Sequence, residues 1–160
     1  MNDPQHYMMR GNRVLPMSSR SIEVLAKGFC GAVKIGKKYK RFDVFFESLV
    51  EYNITLNIVD DEQWAEDTHN LTRGHFDPDT MTISVPQSTY ELACLRDQDS
   101  LSIMFHELGH LLLGHKPMLH FSQKPPEEIE DAEWQADQFA EHVLTLLGFN
   151  IQQLSFDFAK

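Results

Sequence analysis

Cysteine is scarce in this sequence of 160 residues: only Cys30 and Cys94 are present, and no C-x-x-C pair occurs. That excludes a disulfide framework and a zinc ribbon, and makes two buried free thiols in a reducing compartment the expectation. Long apolar runs are missing too, since none approaches the roughly 18 residues needed to cross a bilayer. Met1-Asn2-Asp3-Pro4 lacks the basic-then-apolar pattern of a signal peptide, so a cytoplasmic protein without membrane contact is expected. Basic residues are outnumbered, 14 against 24 acidic ones, for a formal charge of −10. A duplex-binding surface needs the opposite sign, because its affinity comes largely from neutralising phosphates. Direct nucleic-acid binding is therefore not expected; a basic protein partner suits this surface better, and plain solubility accounts for it equally well. Internal repeats, coiled-coil heptads and low-complexity tracts are also absent.

What is present is ordinary for a globular protein: 42% hydrophobic and 24% charged residues, enough for one compact domain. Residues 1–17, broken by Pro4, Gly11 and Pro16, read as a loose arm, residues 18–150 as the domain and 151–160 as a tail. Ser18 or Ser19 is placed to cap a helix from about Arg20 to Val33. Lys34 to Arg41, rich in basic residues around Gly36, reads as a solvated connection. A second helix spans about Phe42 to Tyr52 and ends at Asn53. Ile54 to Val59 then alternates in the manner of a half-buried strand. Leu71 to Phe76, the turn Asp77-Pro78-Asp79-Thr80 and Met81 to Val85 form a hairpin ended by Pro86. A helix capped by Asp99 or Ser100 runs to Leu113, with Gly114 at its end. A last helix opens at Pro125-Pro126, carries early carboxylates and stops at Gly148. The fold class expected is α+β: a small three-stranded antiparallel sheet packed with helices.

The chemistry concentrates in these last two helices. His106-Glu107-Leu108-Gly109-His110 sets two imidazoles at i and i+4, on one face and a turn apart, within reach of one zinc ion. Glu107 stands beside them, where a general base would take a proton from water. Glu133 and Asp137, again at i and i+4, offer a third metal ligand and a carboxylate to orient a ligand histidine. The extended H-E-x-x-H-x-x-G-x-x-H pattern does not apply, because Leu113 and Lys116 occupy its last two positions. Two histidines, one carboxylate and an open position make a catalytic zinc site, suited to attack of water on a peptide carbonyl. The oxyanion donor is not identified by spacing; His75, Tyr90, His115 and His120 are the candidates.

With these residues in view, HELGHLLLGH followed by E-x-x-A-D-x-F-A at 133–140 resembles the ImmA/IrrE metallopeptidase family. Thr72-Arg73-Gly74-His75-Phe76-Asp77 and Met81 to Val85 resemble the strands that precede that family's zinc helix. The resemblance implies a gluzincin-like core, with zinc on His106, His110 and Glu133 and with Glu107 as general base. It also implies a substrate, a basic helix-turn-helix repressor of the Xre type. The chain departs from the family at His142 to Leu147, where many relatives carry a leucine-leucine-methionine-proline run. Gln153 to Phe158 resembles the short peptide that docks on bacterial sliding clamps, but the pattern is short and an amphipathic end covering the core is the preferred reading. The rivals to an endopeptidase are a non-catalytic zinc-containing binding module of a toxin–antitoxin or immunity-type pair, and a structural zinc domain closed by His115 or His120.

Overall fold

The computed structural model describes residues 7–115 and 124–151. His120, the sliding-clamp-like segment 153–158 and most of the 116–126 loop therefore lie outside the described residues. Ser18 accepts a hydrogen bond from the Ser21 amide and opens α1, Ser19–Val33, whose end is marked by Lys34 in the left-handed conformation. The next helix is shorter than its apolar pattern suggests. Helix α2 covers Phe42–Glu47, and Ser48–Tyr52 tightens into a 3₁₀ turn closed by Asn53 at φ 62°. Strand β1 is Thr55–Val59.

Three strands form as expected, but the sheet is mixed where an all-antiparallel one was expected. Its order is β1-β3-β2: β2 (His75–Asp77) is antiparallel to β3 (Thr82–Pro86), whereas β1 is parallel to β3 with Thr55 opposite Thr82. The reason is helix α3, Asp61–Thr68, which follows β1 and carries the chain across before β2 begins. A parallel pairing requires such a crossover. Helix α3 is capped by Asp60 and buries only Trp64, so its apolar signal is weak. Helix α4, Gln87–Cys94, begins directly after Pro86 and contributes buried Ala93. At the hairpin, Asp77 accepts from the Asp79 amide and Met81 takes φ 53°, so Met81 belongs to the turn rather than to β3.

Helix α5, Gln98–Leu112, is capped by Asp97, one turn before its first core residue, Leu101. Glu128–Glu130 form a 3₁₀ turn, and α6, Ala132–Leu146, starts at Asp131 rather than at the proline pair. The core lies between α1, α5 and α6 and under α2, with Phe29, Phe45, Phe105 and Phe139 in edge-on and tilted ring contacts. Cys30 is buried, Cys94 is half-buried, and both are free thiols. Among the described residues no helix is long and apolar enough to cross a membrane.

Residues 7–17, read from sequence as part of a loose arm, are fastened to the start of α6. Asp131 is fully buried and its carboxylate accepts from the Tyr7 hydroxyl (2.7 Å), the Arg10 amide (2.8 Å), the Gly11 amide (3.2 Å) and the Glu133 amide (2.9 Å). Val14 and Met17 donate main-chain hydrogen bonds to Glu130 and Ile129. One buried carboxylate thus caps a helix and holds a separate segment, and removing it strands several amide donors at once. Asp131→Ala should cost about 3 kcal/mol in urea unfolding. Limited proteolysis of the variant should cut first within residues 7–17.

Candidate metal centre

Helix α5 turns one face toward α6, and that face carries His106, Gly109 and His110. At Gly109 the two helices approach closely. A Cβ placed there would lie 3.3 Å from Ala136 Cα and 3.1 Å from Phe139 Cδ1, tighter than ordinary packing. Ala136 and Ala140, both buried, complete the narrow seam. This close approach lets a glutamate on α6 reach across to both α5 histidines.

Three ligand-type atoms converge there. His106 Nε2 lies 2.7 Å from Glu133 Oε2, His110 Nε2 lies 3.2 Å from the same oxygen, and the two Nε2 atoms are 3.2 Å apart. A tetrahedral zinc with bonds of ~2.0–2.1 Å needs ligand atoms roughly 3.3 Å apart, so this triangle fits after slight opening of one edge. Nitrogen and carboxylate oxygen are also donors that suit zinc. Ligand-type atoms of His106, Glu107 and His110 lie within 4.8 Å of one another, so these three residues alone form a cluster that could hold a metal ion. Of the two glutamates, Glu133 lies at hydrogen-bond distance from both imidazoles, which makes it the better ligand and leaves Glu107 beside the centre.

The electrostatics separate the carboxylates. Burial opposes a charge on His106, but its hydrogen bonds to Asp137 (2.7 Å at Nδ1) and Glu133 outweigh that and push its pKa up to about 10. The hydrogen bond from His106, with the His110 ring close by, holds Glu133 well below the usual carboxylate range. Asp137 is lowered as well: burial works against it, but His106 and the Arg10 guanidinium, at 2.8 Å, prevail. Glu107 is 6% exposed and goes the other way, raised chiefly by burial. A carboxylate raised in this manner is a better proton acceptor near neutral pH than an ordinary one.

The centre opens into a cleft of about 900 Å³, walled by α5, α6, the segment before β2 and the arm from Arg10 to Val14. Gly74 closes over Glu107: a Cβ at 74 would stand 3.1 Å from Glu107 Cγ and 3.3 Å from its Oε1. Gly11 does the same at Glu133, where a Cβ would meet Cγ at 2.6 Å. His75, on β2, is exposed and lines the cleft, in a position to face a bound group. Tyr90 is not among the lining residues. It packs on Phe46, and burial together with a hydrogen bond to Cys94 pushes its pKa to about 12. His115 is built into the wall, with its ring nitrogens 2.9 Å from His110 Nδ1 and 2.7 Å from Gln135 Oε1. Burial lowers its pKa to about 4, so the ring is neutral. Arg10, Gly11, Gly74 and Gln135 were not singled out from the sequence. Only Gly74, inside the family-like Thr72 to Asp77 stretch, carried a signal.

A pH dependence follows. With no cation bound, His106 takes up the role of cation, and its raised pKa stabilises the folded chain fully below its ordinary value of 6.5. That stabilisation is lost as the pH rises from 6.5 through about 10. Thermal melts of chelator-stripped protein should therefore fall across this window. Asp137→Asn should flatten the decline, and a bound divalent metal should remove it by replacing the proton.

No curated protein and no solved structure is significantly similar to the chain. The sequence profile of the peptidase M78 family, described as the IrrE N-terminal-like domain, matches residues 54–146. That match covers more than half of the chain, from β1 to the end of α6, and includes the converging His106, His110 and Glu133 with Glu107 beside them. The chain is a member of the ImmA/IrrE family of M78 peptidases.

Proposed function

We propose that this chain is a zinc-dependent endopeptidase of the cytoplasm that cuts a protein regulator, a basic repressor of the Xre helix-turn-helix type. The observation that carries the reading is the triangle of His106 Nε2, His110 Nε2 and Glu133 Oε2, with the buried carboxyl of Glu107 alongside. A zinc ion bound there would supply a Lewis acid that polarises a peptide carbonyl and makes a water acidic near pH ~7.

The remaining steps fall to the chain's own side chains. Glu107, raised by burial, takes the proton of the attacking water and passes it to the leaving amine nitrogen. Asp137 holds the His106 ring through Nδ1, so that Nε2 faces the centre. Strand β2 is an edge of the sheet and borders the cleft, so an extended peptide can pair along it. His75, the first residue of β2, is the candidate donor to the oxyanion. The substrate class rests on the family resemblance and on charge: a chain of net charge −10 attracts a basic DNA-binding partner and repels acidic ones.

The test uses the zinc-loaded full-length chain and a purified Xre-type repressor, with products read on a gel. Glu107→Gln should keep its zinc while the cleavage rate falls by a factor on the order of 10² to 10⁴. His106→Ala should lose the zinc itself. Cleavage at an undiminished rate in Glu107→Gln would sink the mechanism. A wild type that binds the repressor tightly without cutting it would make the protein a binding module.

A further inference from the structure

Both histidines facing the centre must present a bare Nε2, and each therefore needs its proton held on Nδ1. His106 has Asp137 for this purpose. Among the described residues His110 meets no carboxylate at Nδ1; its partner there is another imidazole nitrogen, His115 Nδ1, at 2.9 Å. Two imidazole nitrogens at that distance need one proton between them, and the imidazoles themselves do not decide which one carries it.

The decision is made two residues away. Gln135 is 1% exposed, and its side-chain nitrogen sits 2.8 Å from the Leu15 carbonyl and 2.7 Å from the Ile129 carbonyl. Only an NH₂ group can lie between two carbonyl oxygens, so the amide cannot flip, and its Oε1 must face His115 Nε2 at 2.7 Å. An amide oxygen accepts; hence His115 carries its proton on Nε2 and leaves Nδ1 bare. His110 Nδ1 must then be the donor, and His110 Nε2 is left bare, 3.2 Å from the Nε2 of His106, which carries the proton between them.

We propose that Gln135 and His115 are positioning residues: a relay anchored on the main-chain carbonyls of Leu15 and Ile129 that fixes His110 as the Nδ1–H tautomer and aims Nε2 at the metal. The inference rests on the zinc reading above for its purpose, but the tautomer it assigns belongs to the protein without metal. One of the two anchoring carbonyls, that of Leu15, lies in the segment held by Asp131. Docking of that segment and orientation of a ligand are thereby linked.

Imidazole nitrogen NMR of the metal-free wild type should show the Nδ1–H pattern for His110. Zinc affinity, measured by chelator competition, should fall roughly 10- to 100-fold in His115→Phe, which keeps a ring but offers no acceptor. His115→Asn places an oxygen where the ring Nδ1 stood and should recover most of that loss. An Nε2–H pattern for His110 in the wild type would overturn the relay, and that measurement needs no variant to fold. Unchanged zinc affinity in His115→Phe would overturn it too, as would equal losses in His115→Phe and His115→Asn at matched melting temperatures. A wild type that binds no zinc yet shows the Nδ1–H pattern would refute the zinc reading and leave the relay standing.

Discussion

The structure depends on how closely α5 approaches α6. A glutamate side chain on one helix reaches two imidazoles on another only if the backbones nearly touch, and Gly109 permits this by offering no Cβ to Ala136 and Phe139. The same face then does two kinds of work. Leu101, Met104, Phe105 and Leu108 on α5, with Phe139, Val143 and Leu144 on α6, are fully buried, and their burial supplies the main favourable energy. His106, His110, Glu133 and Asp137 lie along the rim of that contact and are only partly exposed. Packing free energy is thus used to force polar groups together, an arrangement that would not persist on an isolated helix.

Crowding acidic groups around that rim has an electrostatic consequence. Glu107, Glu133 and Asp137 share one cleft, and in a poorly solvated site like charges cannot all ionise without compensation. Compensation comes from the Arg10 guanidinium on Asp137 and, with no cation bound, from the proton on His106. The arm from Tyr7 to Met17 thus belongs to the site: it brings Arg10 to Asp137 and sets Gly11 against Glu133. Asp131 holds it there through main-chain amides as well as the Tyr7 hydroxyl.

How much of this was readable from residues alone follows from where each piece of information resides. The i, i+4 pairs at 106/110 and 133/137 are local geometry, so the facing side chains could be assigned directly from sequence, as could a serine cap at 18 or 19 and helix ends at Asn53 and Gly114, both of which prove left-handed. Helix α3 was not legible, because an amphipathic pattern with a single buried residue, Trp64, is hardly a pattern. Missing α3 also hid the crossover that makes β1 parallel to β3. The docking of residues 7–17 was invisible for a different reason. Its bonds run from backbone donors to one carboxylate some 120 positions away, and backbone donors look alike in every sequence. Asp131 read as one of several acids suiting a helix dipole, when its burial sets it apart.

The two histidines are oriented by chemically different devices, and the difference has a physical logic. A second carboxylate behind His110 would orient it as well as Asp137 orients His106, yet it would add another negative charge to a cleft already lined by Asp99, Glu107, Glu133 and Asp137. The neutral His115–Gln135 pair does the same work with dipoles alone, and its alignment is set by two main-chain carbonyls. A divalent cation in the triangle, with Arg10 and Arg73, would offset Asp99, Glu107, Glu133 and Asp137. In the function proposed above, Glu133 would hold the cation and Glu107 would stay free to take up a proton. Charge behind one histidine and neutral dipoles behind the other would thereby keep the proposed ligand carboxylate, Glu133, and the proposed proton acceptor, Glu107, in separate roles within one cleft.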